Sequence, residues 1–187
     1  MADDPVSLRR KPKATGARLS TATAQMERLS FEETSSAMIR QLAAYWAELR
    51  GDKPLPLKKD FDPARVVNLL PYLIVAEYHL DPLRIRYRLV GTEQVRHVGE
   101  DYTGKWLHEV LWDPRYIEVW LVSVGEMIES HQPIFGRDFL LWADGKMKNY
   151  EWAIFPVSAD GARVTHGIGI EDFSTMERQR GLFAPDR

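Results

Sequence analysis

Residues 84–90 (RIRYRLV) alternate basic and apolar side chains without interruption. This period of two is that of a β-strand with one face buried and the other in solvent. The residues just before it, 72–79 (YLIVAEYH), also favour a strand, and Leu80-Asp81-Pro82 between the two runs has the composition of a turn. The pattern predicts a β-hairpin, so the chain must build an antiparallel sheet around it.

Three further strands are predicted towards the C-terminus, at 134–142, 147–157 and 163–173. The turns Asp144-Gly145 and Asp160-Gly161 separate them, and Asp-Gly between apolar runs is a strong hairpin signal. Together with the first hairpin, these strands predict a sheet of about five antiparallel strands.

Helices are predicted before the first hairpin and between the two groups of strands. The first has apolar residues at helical spacing and ends at Gly51. Two others begin at Asp-Pro pairs, which place an N-cap residue before a proline. Because the sheet must cover its apolar side, the helices between the strand groups predict an α+β fold with helices on one face and a flanking N-terminal helix. The predicted helices span 35–50, 63–70, 92–99 and 114–130.

The N-terminal residues 1–29 differ in composition from the rest of the chain. They carry six basic and three acidic residues and few apolar ones, so they cannot bury enough surface to offset the entropy of ordering. We interpret them as a flexible basic tail, either a docking arm for an acidic surface or a solvated segment without a partner. The predicted domain spans 30–175, and 176–187 are interpreted as a frayed end.

The absence of cysteine among the 187 residues excludes several kinds of site. Disulfides, thiolate zinc sites, iron–sulfur clusters, cysteine nucleophiles and cysteinyl-flavin chemistry all need a thiol. A net charge of −2 and a pI near 6.2 argue against a dedicated nucleic-acid binder. No apolar run is long enough for a membrane span and no secretory signal is visible, so we expect a cytoplasmic protein.

Several short segments together resemble a known family. They are Tyr45-Trp46 with Leu49-Arg50-Gly51, Asp62-Pro63, the run 69–73 (LLPYL), 86–92 (RYRLVGT) and 99–105 (GEDYTGK). Over about residues 36–173 the chain resembles a bacterial family of stand-alone PAS-like proteins that is common in alphaproteobacteria and largely defined by sequence. The sequence departs from the family pattern near its end, where HGIGI at 166–170 replaces a more leucine-rich strand.

The resemblance implies a PAS fold with a sensory or interaction role, and it transfers neither a ligand nor a catalytic residue. One domain's length leaves no room for a kinase, cyclase or DNA-binding segment. We therefore expect output through an unidentified signalling protein or through self-association as a homodimer. The outer face of the sheet and the first helix are the expected contact surfaces.

A PAS pocket lies between the inner face of the sheet and the crossover helices. The aromatic content of 11% provides flat side chains to line such a pocket. A small apolar ligand is one interpretation of these side chains, and a core filled by the rings alone is the other. The candidate lining residues are Tyr87, Leu89, Trp106, Trp120, Val124, Phe139, Trp152 and Ile154.

Two other groups of side chains have a possible binding role. His97 and His108 lie in the region where a haem-binding PAS domain has its proximal ligand, but a lone histidine is more often structural and we do not expect haem. No histidine pair has metal-ligand spacing, so no metal site is predicted. Arg86 and Arg88 could contact an anion, or could form a solvent face paired with acidic residues of neighbouring strands.

Three functions remain open at this level. The leading hypothesis is a sensor or regulator that binds a small ligand, a protein partner or both, without enzymatic activity and without an assigned catalytic residue. The second is a cone-shaped α+β enzyme, which would need an Asp138–His166 pair inside an apolar pocket. The third is a ligand-free interaction adaptor. A cavity without paired titratable groups favours the first, a buried Asp–His contact the second, and a filled core the third.

Overall fold

A computed structural model describes residues 26–111, 114–141 and 147–174. Its centre is a single sheet with the strand order β1-β4-β5-β6-β2-β3, in which every neighbouring pair is antiparallel. The β2–β3 pair is the hairpin predicted from the alternating segment. The six strands are β1 Met26–Leu29, β2 Leu73–His79, β3 Arg84–Val90, β4 Ile134–Leu141, β5 Met147–Val157 and β6 His166–Asp172.

The sheet has one strand more than the five expected. β1 pairs with β4 from Met26 opposite Asp138 to Leu29 opposite Phe135. The sequence analysis assigned these four residues to the flexible tail because Glu27 and Arg28 continue its charged composition. That assignment is wrong for 26–29, whose main chain is ordered by the edge of β4. Residues 1–25 and 175–187 lie outside the described part of the chain.

Two helix boundaries lie where the capping signals predict them, at Gly51 and at Asp62-Pro63, whereas the first helix begins at Ala37 and not at residue 35. The Ser36 hydroxyl accepts a hydrogen bond from the Ile39 amide at 3.1 Å, and Gly51, with φ of 52°, ends the first helix. Asp62 caps a 3-10 segment, Pro63–Tyr72, through the Ala64 amide. In the described ranges no helix has the length and apolar run needed to cross a membrane. The α-helices are α1 Ala37–Arg50, α2 Thr92–Val98, α3 Leu107–Val110 and α4 Pro114–Ser130.

Helices pack on both faces of the sheet and divide the core in two. On one face, here called the cavity face, α3 and α4 pack against Tyr78, Ile85 and Trp152. On the other, here called the α1 face, the apolar side of α1 packs against Phe155 and Ile168. The outer face of the sheet was expected to be a contact surface. It is covered within the chain because the apolar stripe of α1 is buried against β5 and β6.

Candidate functional site

A cavity of about 60 Å³ lies between the cavity face of the sheet and the crossover helices. Strands β2, β3, β5 and β6 form its floor, and side chains of α3 and α4 form its roof. Most of its wall is apolar or aromatic, including Ile74, Ile85, Leu107, Trp120 and Trp152. The rings of Trp120 and Trp152 lie 4.8 Å apart between centroids, so the cavity offers flat surfaces to a bound group.

The cavity exists because strand β6 lacks side chains on this face. Gly167 and Gly169 line it, whereas Ile168 between them packs into the core of the α1 face. A Cβ atom at Gly167 would lie 2.0 Å from the hydroxyl oxygen of Tyr78. Gly167 therefore leaves room for the Tyr78 side chain, and Gly169, where a Cβ meets nothing closer than 3.5 Å, leaves open space.

Three polar groups of the cavity wall lack a described hydrogen-bond partner: the Tyr78 hydroxyl, the indole nitrogen of Trp152 and the Glu171 carboxyl. Tyr78 is 6% exposed, and its hydroxyl forms no hydrogen bond. The side chain of Glu171, the next residue on the cavity face after Gly169, forms no hydrogen bond or ion pair with any described residue. Burial, reinforced by the negative charge of Asp138, raises the pKa of Glu171 to about 8. The Glu171 carboxyl is therefore mostly protonated at neutral pH.

A second buried carboxyl lies beside the cavity. Asp138 on β4 is fully buried and accepts hydrogen bonds from the hydroxyls of Tyr116 on α4 and Tyr150 on β5, the second at 3.2 Å. Burial raises the pKa of Asp138 to about 6, although both hydrogen bonds oppose the rise. This cluster fastens α4 to the sheet at one end of the cavity.

The reverse side of the same strands holds the start of α1. The carboxylate of Glu151, 2% exposed, accepts hydrogen bonds from the Ser35 and Ser36 amides at 2.8 and 2.9 Å. Arg137 on β4 pairs with it at 3.2 Å. Asp172 accepts from the Ser36 hydroxyl at 2.6 Å. Neighbouring residues of β5 and β6 thus contact the cavity on one face and anchor a helix on the other.

Five of the eight side chains proposed for the pocket line the cavity: Tyr87, Trp120, Val124, Trp152 and Ile154. Leu89 does not line it and is 47% exposed. The β2–β3 pairing passes from Ala76 opposite Tyr87 to Val75 opposite Leu89, so Arg88 is an extra residue in β3. Such a bulge shifts the alternation by one position and turns Leu89 away from the cavity.

Trp106 and Phe139 are also misplaced in the sequence-based list. Trp106 pairs with the outside of the hairpin through a bridge to Arg86, and its ring lies beneath the guanidinium group of Arg84 at 4.7 Å. Phe139 shares its side of β4 with Phe135, which packs into the core of the α1 face. The alternation of β4 therefore directs Phe139 to the face opposite the cavity.

The two arginines proposed for an anion contact both have protein partners. The Nε of Arg86 donates to the Gly104 carbonyl at 3.1 Å, and Arg88 lies 3.5 Å from the Glu77 carboxylate. These contacts favour the alternative interpretation, a solvent face paired within the fold. Anion binding by Arg86 and Arg88 stays a prediction.

The histidines do not line the cavity. His97 stacks on Phe173 with ring centroids 4.1 Å apart, and His108 is exposed on α3. The Asp138–His166 pair of the enzyme hypothesis is not formed. Asp138 lies opposite Tyr150 of β5, and His166 lies opposite Val157 of the same strand. Tyr150 and Val157 are seven residues apart, which is about 23 Å along a strand. His166 instead contacts Lys58 and Thr165.

The sequence analysis missed Tyr78, Gly167, Gly169 and Glu171. One signal could have found three of them, because Gly167, Gly169 and Glu171 alternate with Ile168 and Ile170 at the period of a strand. Two glycines followed by an acid on one face of a core strand predict an opening with a charged end.

Comparisons with known proteins agree with this architecture. A family model described as PAS domain matches residues 34–132, more than half of the chain. No curated protein matches the sequence. A solved structure titled "Structure of an RNA-binding Light-Oxygen-Voltage Receptor" is similar at 15% identity and a TM-score of 0.45. The alignment covers 85% of this chain and 40% of that structure's chain, a likeness too distant to inform function. The chain belongs to the PAS domain family.

Proposed function

We propose that this chain is a sensory PAS domain that binds a small ligand in the cavity and passes the signal to a protein partner. The observation that carries the proposal is the Tyr78 hydroxyl, buried without a partner in a mostly apolar cavity whose wall also contains the Glu171 carboxyl group. Buried polar groups without partners destabilise a fold, so they are rare unless something else satisfies them. An apolar wall with few polar groups is typical of a ligand pocket.

The size of the cavity limits the ligand. A volume of about 60 Å³ is smaller than the roughly 150 Å³ of a cavity that encloses benzene. The cavity has room for a short branched chain or for part of a ring, and a whole ring would have to extend through its mouth. A cysteinyl-flavin adduct needs a cysteine thiol, and the 187 residues of the sequence include no cysteine.

The arrangement of β5 and β6 suggests how occupancy could reach the surface. Trp152 and Glu171 face each other across the two strands, and on the next rung Glu151 faces Asp172. The first pair lines the cavity, and the second holds the N-terminus of α1. A ligand that binds one arrangement of these strands better than another would shift the position of α1, which a partner protein would read.

Native mass spectrometry and an absorption spectrum of the purified full chain test the proposal. We expect a bound small molecule, or a rise in thermal stability when a metabolite fraction is added. Gly169→Leu should abolish either signal, because a Cβ at Gly169 meets only ordinary contacts at 3.5 Å or more and the added isobutyl group would fill the cavity.

Gly125→Leu is the matched control, because it adds the same group where a Cβ meets nothing within 4 Å. It should leave the signal intact. A wild-type protein that carries no small molecule and responds to none contradicts the proposal, as does equal loading of wild type and Gly169→Leu.

A further inference from the structure

We propose that the ligand is a small aromatic molecule carrying a protonated amine, and that the carboxyl group of Glu171 receives the amine. This inference rests on the proposed function, since it requires that the cavity holds a ligand. It adds the chemical class of the ligand and the residue that selects it.

The position of Glu171 defines where the amine would lie. The side chain follows Gly169 on the cavity face of β6, where a Cβ would meet only ordinary contacts, so open space precedes it along the strand. Trp152 lies directly across from it on β5. Aromatic faces attract cations as well as flat rings, so the same wall suits both parts of such a ligand.

The ionisable groups around Glu171 can pair with a cation. Among the described residues, the cavity lining contains one carboxyl group and no basic side chain. The groups that act on Glu171 or feel its charge are all acidic or phenolic: Asp138 on β4, Tyr87 on β3, Tyr102, Tyr116 on α4 and Tyr150 on β5. An ammonium group would meet a carboxyl group that can ionise beside it, whereas a carboxylate or phosphate would find no basic side chain in the described cavity lining.

An organic cation fits better than a metal ion. In the described part of the chain no three histidine or acidic side chains are grouped closely enough to hold a metal. A single carboxyl group, by contrast, can receive an ammonium group through charge-assisted hydrogen bonds.

Binding should release a proton. Near neutral pH the unliganded Glu171 is largely protonated, with a pKa of about 8. The ammonium group favours the ionised carboxyl, so the carboxylic acid gives its proton to solvent as the ion pair forms. Affinity should therefore rise as pH increases from 6 to 8, and should fall again once the amine itself loses its proton.

Titration of the full chain with three single-ring probes tests the inference: benzylamine, benzyl alcohol and benzoate. At pH 7.5 we expect benzylamine to bind about 10- to 100-fold more tightly than benzyl alcohol, the range that a charge-assisted hydrogen bond supports. Benzoate should bind weakest. Calorimetry in two buffers that differ in ionisation enthalpy should show proton release with benzylamine alone.

Glu171→Gln keeps the shape of the side chain and removes its charge. It should reduce benzylamine affinity to that of benzyl alcohol, and should leave benzyl alcohol affinity unchanged, which also shows that the variant is folded. Glu126→Gln is the matched control, because Glu126 is exposed on α4.

The possible failures are distinguishable. Equal binding of benzylamine and benzyl alcohol, or benzylamine binding that survives Glu171→Gln, overturns the amine inference and leaves the proposed ligand-binding function standing. If wild type binds none of the three probes but carries another molecule in native mass spectrometry, the inference is again wrong and the function is supported. If it binds none and carries none, both fail.

Discussion

Acidic side chains on the two faces of strands β5 and β6 differ in whether they accept hydrogen bonds. On the α1 face, Glu151 and Asp172 are buried and accept hydrogen bonds from the start of α1. One rung away on the cavity face, Glu171 has no described side-chain partner. The residues are neighbours in the chain, so only the alternation of the strands separates a structural carboxylate from an unsatisfied one.

This difference in hydrogen bonding separates acids with a structural role from acids with a role in binding. A buried carboxylate with its full set of donors is explained by the structure that it holds together. A carboxyl group without donors costs stability and is explained only by something outside the chain. Removal of a carboxylate that has its donors should destabilise the protein, whereas removal of a carboxyl group without donors should not.

The largest expected effect is on the α1 face. Glu151→Ala would leave two amides of Ser35 and Ser36 and the guanidinium group of Arg137 without their acceptor. We expect a loss of about 3–5 kcal/mol in the free energy of unfolding, as for other broken buried ion pairs. Urea denaturation measures it. Glu27→Ala, which removes the exposed partner of Arg137, should cost less than about 1 kcal/mol, and a similar cost for both variants would contradict the assignment.

The next effect is steric and lies on the cavity face. Gly167→Ala places a methyl group 2.0 Å from the Tyr78 hydroxyl, so the free energy of unfolding should fall by about 1–3 kcal/mol. Tyr78→Phe alone should cost little, since the hydroxyl has no partner. Thermal or urea denaturation of the double variant should show that Tyr78→Phe recovers only part of the loss, because Ile154 Cγ2 and the Tyr78 ring carbon Cζ lie 2.8 and 2.9 Å from the new methyl group. Strictly additive losses would show that the two groups do not meet.

The smallest effect is a slope of stability against pH. The folded-state pKa of Glu171, about 8, exceeds its ordinary value of 4.5, so the folded protein holds this proton more tightly than the unfolded chain. Stability should fall as pH rises from 6.5 to 8, by at most about 1.4 kcal/mol per pH unit. Asp138, with a pKa of about 6, contributes mainly below that window. Glu171→Gln should flatten the slope in chemical denaturation, and Glu126→Gln should not; an unchanged slope in Glu171→Gln would refute the raised pKa.

Much of the fold follows from local periodicity, which the sequence displays directly. The alternation at 84–90 predicted β3 and the apolar stripe at 114–130 predicted α4, because each period depends on residues close together in the chain. β1 was missed because its four residues have the composition of a charged segment. Only pairing with β4, more than a hundred residues away, makes them a strand.

The site was predicted less completely because it depends on which face of a strand each side chain occupies and on which residues of neighbouring strands pair. Leu89 was misplaced by one extra residue in β3, and Phe139 by the alternation of β4. Asp138 and His166 are both sheet residues, but the register of β5 keeps them apart. Sequence patterns show which side chains alternate, whereas the strand pairing determines which of them meet.

The first described strand has a consequence for the behaviour of the chain in concentrated solution. β1 and β3 are the outer strands of the sheet, and β1 covers the main-chain groups along half of the eight-residue strand β4. An uncovered strand of that length is a template on which other chains can aggregate. β1 has four residues, two of them charged, and so offers a poor template itself. Met26–Leu29 therefore protects the sheet edge from edge-to-edge association between copies.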